Sequence, residues 1–394
     1  MNTNGQHFIP QELDMSLTNS ITDKEFRSIL LFAINLNFSD ITFRVGDTIK
    51  LKKDNRVFPI SKNKLSKHIL NTIVGIIYQA QPGDESQVML IKAGNPGNLS
   101  YTFNVTGGSK RTRVRFRTNI MRDGDSDVSI LMRLNSDVIR PLESIGLSEE
   151  HPIYKNMFPL KGLNLITGPV DSGKTTLLFS ALGHFIINSD RSAFIDTLES
   201  PIESNLKALI TMHNITNKSV SQCPVPEGVA TFALGMSEAL RRNTDIIITG
   251  EIRTQEDVEG VISGVRSTGK LIMGTLHTNN IPATISRMVN ALHSKNEGQM
   301  RMQIHDLIDA LNMIVSQKLI ERKNGGRIAV NEMIVFTKEI KETLKSVEPH
   351  KISDVLAKIM LEQGDTMVDK ARALFNNDEI SERTFVDFAR DFSY

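Results

Sequence analysis

Apolar and polar residues alternate with changing period over the first third of the chain, and this pattern predicts a small α+β domain. Residues 1–20 are polar, and we predict a flexible N-terminus there. Apolar residues then recur at helical spacing from Phe26 to Ile34, and a second helix is predicted at about 65–80. Short apolar runs predict strands at 41–45, 57–60, 87–92, 100–105, 111–120 and 127–134. We assign residues 21–137 to this N-terminal domain.

The pattern changes twice further along the chain. Residues 138–160 carry three prolines and little periodicity, and we predict a linker there. Apolar runs rich in β-branched residues then alternate with helical segments and predict strands at 163–167, 193–198, 245–249 and 271–276. Such runs are typical of a parallel sheet with helices on both faces. We therefore predict an α/β domain at 161–394, with a mostly helical part after about residue 300.

Composition limits the class of protein. The 394 residues carry 46 basic and 45 acidic side chains, so nucleic acid or an anionic membrane would have to be bound by a local patch. The single cysteine, Cys223, cannot form an internal disulfide, which favours a reducing compartment. The N-terminus lacks the pattern of a secretory signal, and no run of 18 or more apolar residues occurs. We predict a cytoplasmic protein that could dock on a membrane complex.

A phosphate-binding motif follows the strand predicted at 163–167. Residues 168–175 fit the P-loop pattern G-x-x-x-x-G-K-[ST]. In such a loop, backbone N–H groups and the N-terminus of the next helix face phosphate oxygens. Lys174 would add a positive charge at the β- and γ-phosphates, and Thr175 would offer a hydroxyl ligand to Mg²⁺. We predict a site for ATP and Mg²⁺ that contains Gly168, Pro169, Val170, Asp171, Ser172, Gly173, Lys174, Thr175 and Thr176.

Three further polar residues follow predicted strands. Glu199, Glu251 and His277 each stand at the carboxyl end of a strand, the edge where a doubly wound sheet binds its ligand. Phosphoryl transfer to water needs a carboxylate that holds the metal or positions the water, so Glu199 and Glu251 are candidates for either role. His277 is a candidate sensor of the γ-phosphate. The alternative is structural: the carboxylates cap following helices, and the histidine is a hydrogen-bonded strand end.

Arginines alternate along residues 111–117. In a strand Arg111, Arg113, Arg115 and Arg117 would share one face, while Thr112, Val114 and Phe116 pack inward. Three interpretations compete: a solvated edge strand, a nucleic-acid groove, and arginines that contact the ATP of a neighbouring subunit. The nucleic-acid interpretation is weakened by the lack of aromatic residues on that face.

These motifs together resemble the secretion-ATPase superfamily that includes the PilT-type pilus retraction motors. The likeness covers about residues 20–345 and is strongest to the DotB/TraJ branch, which serves type IVB secretion and related plasmid conjugation systems. A single motif of this kind would be weak evidence for the family, but here the whole set occurs in the family's order. The motifs are Ser39-Asp40-Ile41-Thr42, Arg115-Phe116-Arg117-Thr118-Asn119, Arg133 in Leu-Met-Arg-Leu, the P-loop, Leu198-Glu199-Ser200-Pro201-Ile202-Glu203, Gly250-Glu251-Ile252-Arg253 and Gly274-Thr275-Leu276-His277-Thr278.

The resemblance implies a PAS-like N-terminal domain joined to a RecA-like ATPase domain, assembled as a homo-hexameric ring. It assigns Glu199 to the family's Asp box, Glu251 to Walker B and His277 to the His box. It also indicates three arginines that reach the nucleotide from the N-terminal domain: Arg115, Arg117 and Arg133. In this family ATP turnover moves the two domains against each other, so an inner-membrane secretion or conjugation complex is the expected partner.

The sequence departs from the family pattern at three places. Asp171 replaces a glycine of the loop, Thr254 replaces a frequent acidic residue, and residues 338–343 do not match the C-terminal motif linked to pilus retraction. The last departure favours secretion or conjugation over a pilus retraction ATPase. The residues are also compatible with a RecA-like nucleic-acid translocase and, because of Asp171, with a nucleotide-binding assembly protein that has little turnover.

Overall fold

The chain divides into two compact units, Met1–Asp137 and Val138–Tyr394. The computed structural model describes residues 20–36, 38–53, 56–107, 110–124, 127–135, 139–292 and 296–392. Apart from Ser20, the predicted flexible N-terminus lies outside these residues. Each unit has its own hydrophobic core.

The described part of the first unit is an antiparallel sheet with three helices. The strands are β1 (Asp40–Arg44), β2 (Lys50–Lys53), β3 (Arg56–Pro59), β4 (Gly97–Gly107), β5 (Lys110–Arg122) and β6 (Val128–Asn135). The helices are α1 (Asp23–Asn35), α2 (Lys67–Tyr78) and α3 (Ser86–Lys92). The strand order is β3-β2-β1-β6-β5-β4, and each neighbouring pair is antiparallel. The core contains Phe26, Phe43 and Phe116. A PAS-like classification of this unit stays a prediction.

The prediction of a strand at 87–92 is wrong, because these residues lie in helix α3. Val88 and Ile91 are buried whereas Met89 and Leu90 are exposed, which is the three-residue spacing of a helix face. A short unbroken apolar run does not distinguish a strand from a buried helix by its period.

The arginine-rich segment forms β5, which lies between β4 and β6 in the sheet. Its interpretation as a solvated edge strand is therefore wrong. The side chains at 106–113 lie outside the described residues, so the alignment of Arg111 and Arg113 with the other arginines stays a prediction. Arg115 and Phe116 are both buried, and Arg117 is exposed.

The second unit is a three-layer α/β structure. Its strands are β7 (Gly162–Thr167), β8 (Ala193–Glu199), β9 (Lys218–Pro224), β10 (Ile246–Thr249), β11 (Leu271–Leu276), β12 (Leu311–Glu321) and β13 (Arg327–Val335). Its helices are α4 (Pro152–Lys155), α5 (Lys174–Asn188), α6 (Leu206–Met212), α7 (Phe232–Arg241), α8 (Gln255–Thr268), α9 (Ile281–Ala291), α10 (Glu297–Ala310), α11 (Lys338–Lys345), α12 (Ile352–Gln363), α13 (Met367–Asn376) and α14 (Glu382–Phe392). Short 3-10 turns occur at Leu142–Ile145 and Pro349–Lys351.

The sheet of the second unit runs in the order β13-β12-β7-β11-β10-β8-β9. All neighbouring strands are parallel except β12 and β13, which form an antiparallel hairpin. Alternate residues of β10 pack into two different cores, with Ile247 in one and Ile246 and Ile248 in the other. Helices therefore cover both faces, which confirms the predicted α/β fold.

Three strands of this unit, in two segments, were not predicted. The segment after β8, for which no strand was expected, contains β9, and the stretch after residue 300 contains the β12–β13 hairpin. Helix α10 ends at Ala310 and β12 begins at Leu311, so no turn residue marks the change. Helical structure returns only from α11 onwards.

Residues 139–160, predicted as a linker, belong to the second unit. Leu142, Leu147, Ile153 and Met157 are buried in the same core as helix α5. Proline and glycine interrupt the pattern there, but the apolar side chains between them pack as part of the unit. Among the described helices, we find no segment whose length and hydropathy would let it cross a membrane.

Candidate functional site

The loop between β7 and α5 has a backbone that requires glycine at two positions. Gly168 has φ +147° and Gly173 has φ +81°, values that side chains other than glycine rarely adopt. A Cβ atom on Gly168 would lie 2.2 Å from the backbone oxygen of Gln317. Helix α5 begins at Lys174, directly after the loop, so its N-terminal N–H groups are available to an anion.

Lys174 is held inside this loop. Its ammonium donates hydrogen bonds to the backbone oxygens of Gly168, at 2.8 Å, and Pro169, at 2.7 Å. Burial lowers the pKa of Lys174 to about 8, and the nearby Glu251 carboxylate opposes this shift. The charge of the Lys174 amine therefore depends on pH in the range just above neutrality.

His277 connects Lys174 with Glu251. Its Nδ1 lies 3.3 Å from the ammonium of Lys174, and its Nε2 lies 3.6 Å from Oε1 of Glu251. Burial and then the charge of Lys174 lower the pKa of His277, which favours a neutral ring at pH 7. In that ring Nδ1 accepts from the ammonium and the Nε2 proton faces the carboxylate. The structure thus brings Lys174 of the phosphate loop together with Glu251 and His277, two of the three groups predicted at separate strand ends.

Glu251 follows strand β10 and is mostly buried, with 15% of its side chain exposed. Its Oε2 accepts a hydrogen bond from the guanidinium of Arg253. The backbone around it is fixed by Gly250, whose N–H donates to the oxygen of Leu198, and by Ile252, whose N–H donates to that of Thr275. Arg253 belongs to the motif Gly250-Glu251-Ile252-Arg253, but the sequence predicted no role for it.

Glu199 lies at the end of β8, the strand next to β10. It is buried, and it accepts hydrogen bonds from Thr197 Oγ1 at 2.5 Å, Gln222 Nε2 at 2.9 Å and the Glu203 N–H at 3.1 Å. Burial raises the pKa of Glu199 in spite of these donors. In this conformation Glu199 organises the loop that follows β8, whereas Glu251 contacts the lysine–histidine pair.

The remaining loop residues differ in exposure. Ser172 is buried and its hydroxyl has no hydrogen-bond partner among the described residues. Thr175 is partly exposed, and Val170 and Thr176 are exposed. Within the described ranges, no group of three or more His, Cys, Asp or Glu side chains is arranged to hold a metal ion. Mg²⁺ at phosphate sites usually needs only one or two protein ligands, and Thr175 with Glu251 could supply them.

Asp171 adopts a left-handed backbone conformation, with φ +64°. Aspartate tolerates this region better than most residues other than glycine. Its carboxylate accepts a hydrogen bond of 2.8 Å from Arg327 at the start of β13, and both side chains are at least half exposed. Arg327 therefore supplies a cation for the acidic residue that replaces the family's glycine, a partner that sequence analysis missed.

This pair predicts a moderate effect on nucleotide binding. We expect Arg327→Ala to weaken MgADP binding by up to about fivefold, because an exposed ion pair contributes at most about 1 kcal/mol and its loss leaves Asp171 uncompensated near the proposed phosphate site. Adding Asp171→Gly should restore the affinity, since glycine adopts the positive φ without strain. Isothermal titration calorimetry measures both, with Arg322→Ala on the same hairpin as the control. Unchanged affinity in Arg327→Ala would show that the pair is irrelevant to the site.

The buried lysine predicts a pH dependence of nucleotide binding. Phosphate favours the protonated amine, so affinity should fall as the pH rises through the pKa of Lys174 at about 8. We expect MgADP to bind about tenfold more weakly at pH 9 than at pH 7, since about a tenth of the amine stays protonated one unit above its pKa. Calorimetry at the two pH values tests this. Lys174→Ala should lose the dependence, and a wild-type affinity that is constant over this range would contradict it.

The arginines of the first unit have different environments. Arg133 donates from Nε to Oδ1 of the buried Asp40 at 2.7 Å, and its own side chain is 61% exposed. In the sheet Arg133 is the register partner of Arg117 on β5. Contact of Arg115, Arg117 or Arg133 with a nucleotide stays a prediction.

Known proteins resemble this chain over most of its length. The family model described as Type II/IV secretion system protein matches residues 96–379. The Pseudomonas aeruginosa protein described as "Type IV pilus retractation ATPase PilT" is 27% identical over 323 residues, which covers 82% of this chain and 85% of that protein.

Two solved ATPase structures also resemble this chain over most of its length. The ATPase DotB of Legionella pneumophila superposes with a TM-score of 0.84 at 26% identity and covers 97% of this chain and 100% of its own. The pilus retraction motor PilT, solved with bound ADP, superposes with a TM-score of 0.70 at 26% identity and covers 91% of this chain and 95% of its own.

Proposed function

The chain belongs to the type II/IV secretion system protein family and hydrolyses ATP, and from this premise we propose that it is the hexameric motor of a type IVB secretion or plasmid conjugation system. The observation that carries the proposal is the superposition on DotB over 97% of the chain, with a higher TM-score than that of PilT. The mismatch of residues 338–343 with the retraction motif supports the same branch. We further propose that the ring works at the cytoplasmic face of the inner membrane, docked on the transport complex.

The proposed chemistry assigns one role to each group of the site. Residues 168–176 bind the phosphates, Lys174 neutralises the developing charge, and Glu251 positions the attacking water. Mg²⁺ would be held by Thr175 and Glu251, and it would supply charge neutralisation at the phosphates. His277 would sense the γ-phosphate through its contact with Lys174, and Glu199 would position the loop after β8.

We propose that arginines of a neighbouring subunit complete this site. Arg117 supports the idea because it is exposed on β5, and no described acidic residue forms an ion pair with it. We expect Arg115→Ala and Arg117→Ala each to lower ATP turnover at least about a hundredfold in a confirmed oligomer, the scale for losing a positioned donor. Phosphate release is the measurement, and Arg122→Ala on the same strand is the control. Full activity of both variants in the intact oligomer would contradict the proposal that these arginines complete the site.

A genetic experiment tests the proposed process. In a host strain that lacks the gene, we expect transfer of the secretion or conjugation substrate to stop while pilus-dependent surface motility continues. The wild-type gene should restore transfer, and the Lys174→Ala gene should not. Loss of motility with intact transfer would instead support pilus retraction, the second candidate, which is favoured by the 27% identity to PilT over 82% of the chain.

A further inference from the structure

Strand β12 brings one polar residue against the phosphate loop. Strands β12 and β7 are parallel, and Ser316 is paired with Thr167, the last residue of β7. Gln317 is the next residue of β12 and therefore lies level with Gly168, where the loop begins. Neither the motif nor the strand-end pattern of the sequence points to this residue.

Gln317 contacts the loop at three points. Its side-chain Nε2 donates a hydrogen bond of 2.7 Å to the backbone oxygen of Ser172. A Cβ atom on Gly173 would lie 2.8 Å from the same Nε2, and one on Gly168 would lie 2.2 Å from the Gln317 backbone oxygen. The residue is 4% exposed, so water does not compete for these contacts. Gln317 thus packs against both glycines that the motif requires.

A phosphate loop works by turning its N–H groups towards the anion, which leaves carbonyl oxygens directed elsewhere. A buried carbonyl without a donor costs free energy, so the backbone tends to move until the oxygen finds a partner. We propose that Gln317 is a positioning residue for ATP binding, which satisfies the Ser172 carbonyl and so holds the loop in its phosphate-binding conformation. The inference rests on the proposed phosphate site at 168–175.

Gln317→Ala tests the proposal through binding. The free loop should relax away from the binding conformation, so we expect MgADP to bind about tenfold more weakly, equivalent to about 1.4 kcal/mol. KM for ATP should rise by a similar factor and kcat should change less, because Gln317 does not touch the reacting atoms. The matched control is Ser316→Ala. Ser316 is the adjacent buried residue, and its hydroxyl has no hydrogen-bond partner within the described part of the chain.

Gln317→Glu tests the donated proton itself. It keeps the length of the side chain, but an ionised carboxylate has no proton to donate to the Ser172 oxygen. At this buried position the pKa of the introduced carboxyl should be raised above its ordinary value of about 4.3. A protonated carboxyl can donate, so the loss of affinity relative to wild type should be smaller at pH 5.5 than at pH 7.5. A loss that is larger at pH 5.5 than at pH 7.5 would overturn the proposal, because protonation of the carboxyl would then weaken binding rather than supply the donor.

Two further comparisons complete the test. The proposal is overturned if Gln317→Ala binds MgADP as wild type does, or if Ser316→Ala loses as much affinity as Gln317→Ala. Lys174→Ala separates this inference from the site on which it rests. If Lys174→Ala abolishes binding while Gln317→Ala does not change it, the phosphate site stands and the role of Gln317 is wrong. Unchanged binding in Lys174→Ala would mean that the phosphate site itself is wrong.

Discussion

Lys174→Ala is expected to lower ATP hydrolysis at least about a hundredfold, the scale for removing a positioned catalytic charge. The ammonium already lies within the loop, 3.3 Å from His277 Nδ1, so its removal takes a positive charge away from the proposed phosphate site. Nucleotide affinity should fall together with turnover, because the proposed role of the lysine is to contact phosphate both before and during the reaction. Phosphate release and calorimetry with MgADP measure the two effects.

The folded state should tolerate this substitution. The pKa of Lys174 is lowered from 10.5 to about 8, so burial of the charged amine costs stability below pH 8, and the cost disappears as the pH rises from 8 to 10.5. Removing the amine relieves this cost but loses two hydrogen bonds to the loop. We therefore expect the unfolding temperature at pH 7 to stay close to that of Lys207→Ala, a surface lysine on α6. Wild-type turnover in Lys174→Ala would refute the assignment of the loop.

Glu251→Gln should separate binding from chemistry. The amide keeps the shape of the side chain but removes the charge that would position water, so we expect hydrolysis to fall at least about a hundredfold. MgADP affinity at pH 7 should fall less than turnover does, since Lys174 and the loop remain and only one of the two proposed Mg²⁺ ligands loses its charge. Single-turnover phosphate release measures the chemical step, and calorimetry measures binding.

The two carboxylates can be distinguished by the same substitution at both positions. Glu199 is buried and accepts three hydrogen bonds, so Glu199→Gln should mainly disturb the loop after β8 and lower the unfolding temperature. Glu256→Gln, an exposed change in the first turn of α8, is the neutral control. Loss of hydrolysis in Glu199→Gln with full activity in Glu251→Gln would transfer the catalytic role to Glu199.

The central strands could be predicted because their apolar runs are bounded by turn residues. Strands β7, β10 and β11 lie within one residue of the predicted ranges. The meeting of Lys174, Glu251 and His277 follows from the same pattern, since parallel strands bring their carboxyl ends to one edge. The P-loop motif also predicted the positions of Gly168 and Gly173, which have positive φ values in the structure.

The partners of these groups could not be predicted in the same way. Gln317 and Arg327 reach the loop from a hairpin about 150 residues downstream, in a stretch that was expected to be helical. Their contacts depend on β12 pairing with β7 in a definite register, and hydrophobic period carries no information about that pairing. The contact of Arg253 with Glu251 could have been predicted, because Arg253 follows Glu251 by two residues at the same strand end.

A crystal structure of the chain with MgADP would test most directly whether residues 168–176 bind the phosphates. We predict the β-phosphate within hydrogen-bonding distance of the loop N–H groups, with the ammonium of Lys174 moved from the Gly168 and Pro169 oxygens onto the phosphate. Nucleotide bound elsewhere, or Lys174 still bonded to those two oxygens beside a bound nucleotide, would contradict the account.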